Sequence, residues 1–312
     1  MNNVEAGGWD VTNRGVEAGP RRSLLPGDPL TFLERGASFR GRWGNTLKLS
    51  QATPAIVHDA WTERASSISD RPWISEVARS VVDGLYERFE ESLVLVRSFL
   101  TVPYQGLPGS QRAFAANLAR SVQLEDSLAP HTPVFSLLAT RGSVSEWNDP
   151  RESRGHVAIP LLSESFVKSC PMLSMLFKKL GMPLTWTQSY GANMQRWMTG
   201  YDVGLFFVEH PANAVNKLGR KIIPAQEFVA GHSVRSAFAV GGTIFGGAVF
   251  VLIFFGRDPV ESRTARAFLP LVNQVKGTLI SRCSMSRVFL PETPAGPDDG
   301  KAPGPPPAGG ND

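Results

Sequence analysis

With 312 residues, 42% of them hydrophobic and 19% charged, the chain carries enough apolar material for one large domain or two small ones, which excludes disorder throughout. Its 32 basic and 28 acidic residues leave a net charge of +4, and no block of five Lys or Arg occurs, so neither a nucleic-acid partner nor a membrane surface is expected. Cys170 and Cys283 stand far apart without metal-type spacing, and residues 1–30 hold no apolar core of a secretory signal; the chain is read as cytoplasmic, with free thiols.

Residues 1–66 are rich in Gly, Arg, Ser and Asn without sustained periodicity, and are read as a mostly disordered N-terminal arm. Within the arm, RGASFRGRWGN sets Arg35, Arg40 and Arg42 among Phe39 and Trp43. That composition can stack on single-stranded nucleic acid, but a solvated linker docking one aromatic explains it with fewer assumptions. The ordered domain is drawn at 67–290. Asp70 is read as an N-cap with Pro72 in the first turn, and Trp73, Val77, Val81, Leu85 and Phe89 recur every four residues, predicting a helix with one apolar stripe. SLVLVRSFLTV, ending at Pro103, is a strand by composition, with Arg97 in its middle. A loop then leads to a second strand, PVFSLLAT at 133–140.

The polar stretch EWNDPRESRGHVAIPLL brings the chain to a short strand near 157–161. Ser163 is then placed as the cap of an interrupted helix, broken at Pro171 and ended by Gly181, with Phe166, Cys170, Leu173, Phe177 and Leu180 on one side. VGLFFVEH at 203–210 reads as another strand. Residues 291–312 are Pro/Gly-rich and are read as a disordered tail.

The run AFAVGGTIFGGAVFVLIFF, 237–255, has only Thr243 with a polar side chain, and its length suits a membrane-spanning helix. Gly241, Gly242, Gly246 and Gly247 argue for two strands instead, SVRSAFAV and GAVFVLIFF, joined by GGTIFG. Asp258, Pro259 and Glu261 follow as N-cap, first and third positions of a helix of about twenty residues with Ala265, Phe268, Leu269, Val272, Val275 and Leu279 on one face. A hairpin followed by an amphipathic helix is a soluble unit, so no membrane crossing is expected.

The densest polar stretch, RGSVSEWNDPRESRGH, supplies the candidate ligand-binding residues Arg141, Trp147, Asn148, Asp149, Arg151 and His156, to which Arg235 is added from the hairpin. Arginine beside an aromatic suits an anionic or planar ligand, and loops on a rigid sheet are where recognition residues gather. The competing reading is a solvated loop anchored by Trp147, with Arg235 structural. No metal, Walker loop, dinucleotide fingerprint or G-x-S-x-G elbow is read from the sequence.

Residues 233–280 resemble the closing segment of GAF domains, the small-molecule sensor modules of signalling proteins: Val234-Arg235-Ser236 matches the opening of a strand, a second strand begins with Gly, and a final helix packs back. Upstream, ESLVLVRSFLTVPYQGLP, WNDPRESRGHVAIPLLSESFV and IPAQEFV resemble GAF-like segments found ahead of bacterial output domains, so that the similarity spans roughly 70–282. The resemblance implies an α+β, GAF/PAS-like fold: an antiparallel sheet of about six strands, the first and last helices on one face, and a ligand pocket on the other. It implies a non-catalytic bacterial sensory or regulatory protein, homodimeric, that acts on a separate signalling output protein, because no output domain follows residue 290. The chain departs from bilin-binding, cyclic-nucleotide-binding and methionine sulfoxide reductase GAF patterns, so no ligand or cofactor carries over. An enzyme using the same pocket and a pure interaction scaffold remain as alternatives.

Overall fold

The computed structural model describes residues 46–66, 68–70, 72–153, 155–182, 203–244 and 247–291. Six strands, β1 (Leu93–Pro103), β2 (Pro133–Gly142), β3 (Ala158–Pro160), β4 (Val203–Val208), β5 (Ser236–Thr243) and β6 (Val249–Gly256), pair antiparallel in the order β3-β2-β1-β6-β5-β4. The two most apolar strands of the sequence, β1 and β6, lie side by side at the centre, where both sheet faces are covered and alternation with polar residues is not needed.

Alternate side chains of β6 divide between two cores. Phe250, Leu252 and Phe254 join a first face covered by α1 (Pro54–Ala65), α2 (Ile74–Arg88) and a C-terminal helix, while Val249, Val251, Ile253 and Phe255 join a second. On the first face Phe238 stacks on Phe254 at 4.5 Å, and Phe268 tilts against both at 5.2 and 4.9 Å. Each such ring, fully buried, contributes ~1.5–3 kcal/mol. On the second face, Phe99 stacks on Phe135 at 4.6 Å and Phe177 meets Phe135 edge-on at 5.6 Å. The other helices are α3 (Gly109–Ser121), α4 (Glu164–Ser169), α5 (Pro171–Lys179), α6 (Gln226–Gly231), α7 (Ser262–Arg266) and α8 (Leu269–Arg282), the C-terminal helix. Among the described residues no helix is long and apolar enough to cross a membrane.

Several sequence expectations shift. Residues 46–66 are not arm: Leu49, Val57, Ala60 and Trp61 are buried, and α1 crosses α2 where Gly84 lies under the Ala60 carbonyl. The rest of the arm and the tail beyond 291 lie outside the described residues, as do the arginines and aromatics of RGASFRGRWGN. The segment after Pro103, read as a loop, contains α3. Asp70 does not cap α2; the helix starts at Ile74, the Glu76 carboxylate accepts the Trp73 N–H at 2.6 Å, and the Ile74 and Ser75 N–H groups donate to the carbonyls of Arg287 and Val288. Asp258 does not cap the last helix either. It accepts from the Ser92 hydroxyl, and the single long helix is split into α7 and α8. Gly241 and Gly242 belong to β5 rather than to the turn, and a Cβ on Gly241 would stand 2.5 Å from the Phe250 carbonyl oxygen. The helix break at Pro171 and the left-handed Gly181 (φ 74°) match the sequence reading, and Ser163 caps α4 through the Phe166 N–H at 3.1 Å.

The pairing of the two strands β1 and β2 is irregular at one point. It runs Arg97↔Thr140 and Ser98↔Ala139, then skips Leu138 to continue Phe99↔Leu137. The extra residue in β2 is a β-bulge.

Candidate functional site

β1 places Arg97 on the second face of the sheet, opposite Thr140 on β2 and Ile253 on β6, with Phe99 next along the same side. The surroundings are apolar, and burial alone holds the Arg97 guanidinium below its ordinary range, at about 10. Its Nη2 donates to the Ser153 hydroxyl, while its buried Nε has no partner. Among the described residues no carboxylate lies within ion-pairing distance of Arg97. Beside it, the buried Thr140 hydroxyl is also without a partner.

The loop after β2 is folded to reach this arginine. Asp149 accepts the backbone N–H of Arg151 at 2.8 Å and pairs with its guanidinium, which holds the Asp149 carboxyl below the usual range. The Asp149 carbonyl accepts the N–H of Ser153 at 3.1 Å, and that turn delivers the buried Ser153 to Arg97. Gly155 (φ 70°) and His156 (φ 32°) then take left-handed conformations, an uncommon one for histidine, as the chain enters β3. By area His156 is exposed, whereas its pKa is pushed down to about 4, by loss of solvation first and by the Arg97 charge second. These observations conflict on a convex surface. A ring whose edge meets water while its other side is covered by protein satisfies both.

The candidate residues from the sequence divide among three places. Trp147 and Asn148 pin the loop to the end of β2: the indole packs on Phe228 at 5.6 Å and on His232 at 4.7 Å, and the side-chain Oδ1 of Asn148 accepts the Gly142 N–H at 2.9 Å. Gly142 is required there, since a Cβ would sit 2.7 Å from Trp147 Cε3. Asp149 shapes the turn, Arg151 is exposed on it, and His156 senses Arg97. Arg141 lies on the opposite face of the sheet, because neighbouring strand residues alternate sides. Its guanidinium stands 6.0 Å over the Tyr86 ring of α2 and lowers the otherwise burial-raised pKa of Asp83. Arg235 is exposed at the start of β5, with its N–H donating to the Gly256 carbonyl at 2.8 Å. Arg97, Thr140 and Ser153 were missed as site residues. The available signal was a lone arginine inside a run of Val, Leu and Phe, where an ionised group is costly unless something compensates it.

A separate groove of about 460 Å³ lies between Val102, Pro103 and Leu107 and the C-terminal residues Met285, Val288 and Phe289, and no charged side chain lines it. Among the described residues no group of three His, Cys, Asp or Glu side chains is arranged to hold a metal. Cys170 and Cys283 are free, and burial raises both thiol pKa values.

This sheet order, with α1, α2 and α8 on one face and the loop after β2, α4 and α5 on the other, is a GAF-like α+β fold. The solved structures similar to it include a phycocyanobilin-bound GAF domain from a cyanobacterial phytochrome, at 8% identity and a TM-score of 0.37 over 76% of this chain and 96% of that one. The GAF domain of an Acinetobacter phosphoenolpyruvate-protein phosphotransferase aligns at 13% identity and a TM-score of 0.35, over 72% and 90%. An N-acylhomoserine lactone dependent LuxR family transcription factor from Burkholderia cenocepacia aligns at 11% and 0.31, over 73% and 93%. At these values the likenesses concern the fold and carry nothing about ligand or partner. No family model and no curated protein sequence matches the chain.

Proposed function

We propose that the chain is a non-catalytic, small-molecule-sensing regulatory protein that binds its ligand in the recess over the second face of the sheet and signals by engaging a separate partner chain. One observation carries this reading: Arg97 and Thr140 present buried, unpartnered polar atoms on adjacent strands beside an accessible His156. Buried polar groups are paired in the great majority of cases, and unpaired ones clustered in an apolar recess are what a ligand would satisfy. The enzyme alternative is less well supported, because a nucleophile needs a base within hydrogen-bond reach. Among the described residues no histidine ring hydrogen-bonds a serine, a cysteine or a carboxylate.

Trp147, Asn148 and Asp149 act in this reading as the frame of the recess, and His156 as part of its wall. A bacterial cytoplasmic setting and a homodimer are part of the same proposal. The dimer would use the surface of α2 and α8 that α1 leaves open, where Ile280 is 57% exposed. The test is native mass spectrometry of the full chain combined with thermal denaturation. A small molecule that is retained on purification, raises the Tm through preferential binding to the native state, and is recovered chemically unchanged supports the reading. Conversion of that molecule by the protein would move the chain to the enzyme class.

A further inference from the structure

We infer that the ligand of this recess is an organic monoanion, a carboxylate on an apolar body, whose head group is held by Arg97. The inference rests on the ligand-binding reading above and adds the chemical class. Burying a guanidinium is costly, and natural proteins offset the cost with a carboxylate partner. Arg97 has none among the described residues, and its one protein contact is a neutral hydroxyl.

The geometry of the unused donors fits a planar oxyanion. The Nε–H is free, and it shares an edge of the guanidinium with Nη2, whose two N–H groups can serve Ser153 and a carboxylate oxygen together, so that this edge can still bind a carboxylate with two parallel hydrogen bonds. Thr140, directly opposite on β2, offers a hydroxyl to the same space, so an oxyanion there would satisfy both groups.

Charge selects a monoanion. Among the described residues Arg97 is the one charged group that acts on His156, and the exposed Arg151 is already paired with Asp149. A single carboxylate is neutralised by Arg97, whereas a phosphate dianion would need a second cation that the described residues do not bring there. The apolar neighbours select the body: Phe99, Val251, Ile253 and Phe255 belong to the core on the same face, and Trp147 packs on Phe228 beside it. An acid with an aliphatic or aromatic body matches this lining, and a sugar phosphate does not.

Matched pairs of small molecules separate the inference from the reading beneath it. The full chain is titrated calorimetrically with hexanoate, benzoate and 2-naphthoate and, in parallel, with hexanol, benzyl alcohol and 2-naphthalenemethanol. The acids are expected to bind ~10- to 100-fold more tightly than their alcohols, the range that a charge-assisted hydrogen-bond pair supplies. Arg97→Met should erase that preference while leaving alcohol binding in place, and Arg97→Lys should keep only part of it. If acids and alcohols bind equally and Arg97→Met changes neither, the anion is wrong and the recess stands. If no member of either series binds at millimolar concentration, the recess itself is refuted. Thr140→Val, near-isosteric and free of the charge change, provides the same comparison should Arg97→Met not fold, with a several-fold loss of acid affinity expected.

Discussion

Replacing Arg97 by methionine should make the ligand-free protein more stable, which is the reverse of what removing a structural residue does. Burial brings the guanidinium to about 10, a fall of between two and three decades in proton affinity. At ~1.4 kcal/mol per decade, the charged side chain costs the folded state roughly 3 kcal/mol. The sign is that of a base depressed by folding: the cost is present in full at every pH below about 10 and is relieved only as the pH rises beyond it. Against that stands the hydrogen bond to Ser153, worth ~1.5–3 kcal/mol as a charged pair, and the Ser153 hydroxyl would be left buried. Methionine fills a similar volume and adds apolar contact to Phe99 and Ile253. With that contact offsetting the orphaned hydroxyl, the balance is a gain of up to roughly 1.5 kcal/mol, or up to about 6 °C in Tm for a domain of this size. Arg97→Met combined with Ser153→Ala, which removes the orphaned hydroxyl, should gain more than Arg97→Met alone. Differential scanning calorimetry and urea denaturation at pH 7 measure both variants. A fall in Tm of several degrees for both would show that Arg97 holds the fold together, and the argument that it is kept for a ligand at the expense of stability would collapse.

Other outcomes attach to single positions. Gly84→Ala should destabilise by roughly 1–2 kcal/mol in urea denaturation, because its Cβ would stand 2.3 Å from the Ala60 carbonyl oxygen and force α1 off α2, outweighing the ~1 kcal/mol of helix propensity gained. Gly277→Ala, on the exposed side of α8 with nothing within 4 Å, is the control and should stabilise by roughly 0.5–1 kcal/mol; equal effects at the two sites would contradict the α1–α2 contact. With the His156 pKa down at about 4, the unfolded chain takes up that proton first as the pH falls from its ordinary value. Stability contributed by the neutral ring is therefore lost between roughly pH 6.5 and 4. The Tm of His156→Gln should drop less than that of the parent chain between pH 7 and pH 5, and parallel curves would mean that the ring is solvated normally. Burial raises the Cys170 thiol pKa, so at pH 7 mass spectrometry should find it labelled far more slowly by a disulfide reagent than free cysteine.

The strands were legible because each advertises itself twice, in composition and in its stop. β1 is a run of Val, Leu and Phe closed by Pro103, and β6 is a similar run opened and closed by glycine. The helices α1 and α3 were not, for a common reason: α1 buries only Val57, Ala60 and Trp61 of its twelve residues, and α3 only Gln111, Ala115 and Ala119 of thirteen. Stripes that short leave no period to read. The glycines of 241–247 were noticed but assigned one purpose, reversal, whereas Gly241 serves close approach of β5 to β6 and only Gly247 (φ 81°) among those described takes a left-handed conformation. For the site, the loop 141–156 drew attention by polarity, and polarity alone cannot tell a residue that touches the recess from one that frames it. Trp147, Asn148 and Asp149 hold the loop in place, and Arg141 faces α2. Arg97 was visible as a charge inside an apolar strand, yet its meaning depends on whether a carboxylate stands opposite, which only the fold determines.

The bulge in β2 ties these threads together. Carrying the pairing of Phe99 with Leu137 forward without the skipped residue would bring Ala139 opposite Arg97 and leave Thr140 one step beyond it. With Leu138 skipped, Leu138 and Ala139 both enter the helix-covered core, Thr140 arrives beside Arg97, Arg141 turns toward Tyr86, and Gly142 comes under Trp147. A single extra residue therefore sets which β2 hydroxyl stands beside Arg97 and which side of the sheet Arg141 serves. Bulges gather next to sites where they re-aim a side chain, and this one leaves two buried donors without partners in an apolar wall. A fold selected for stability alone would gain by replacing either of them with an apolar residue.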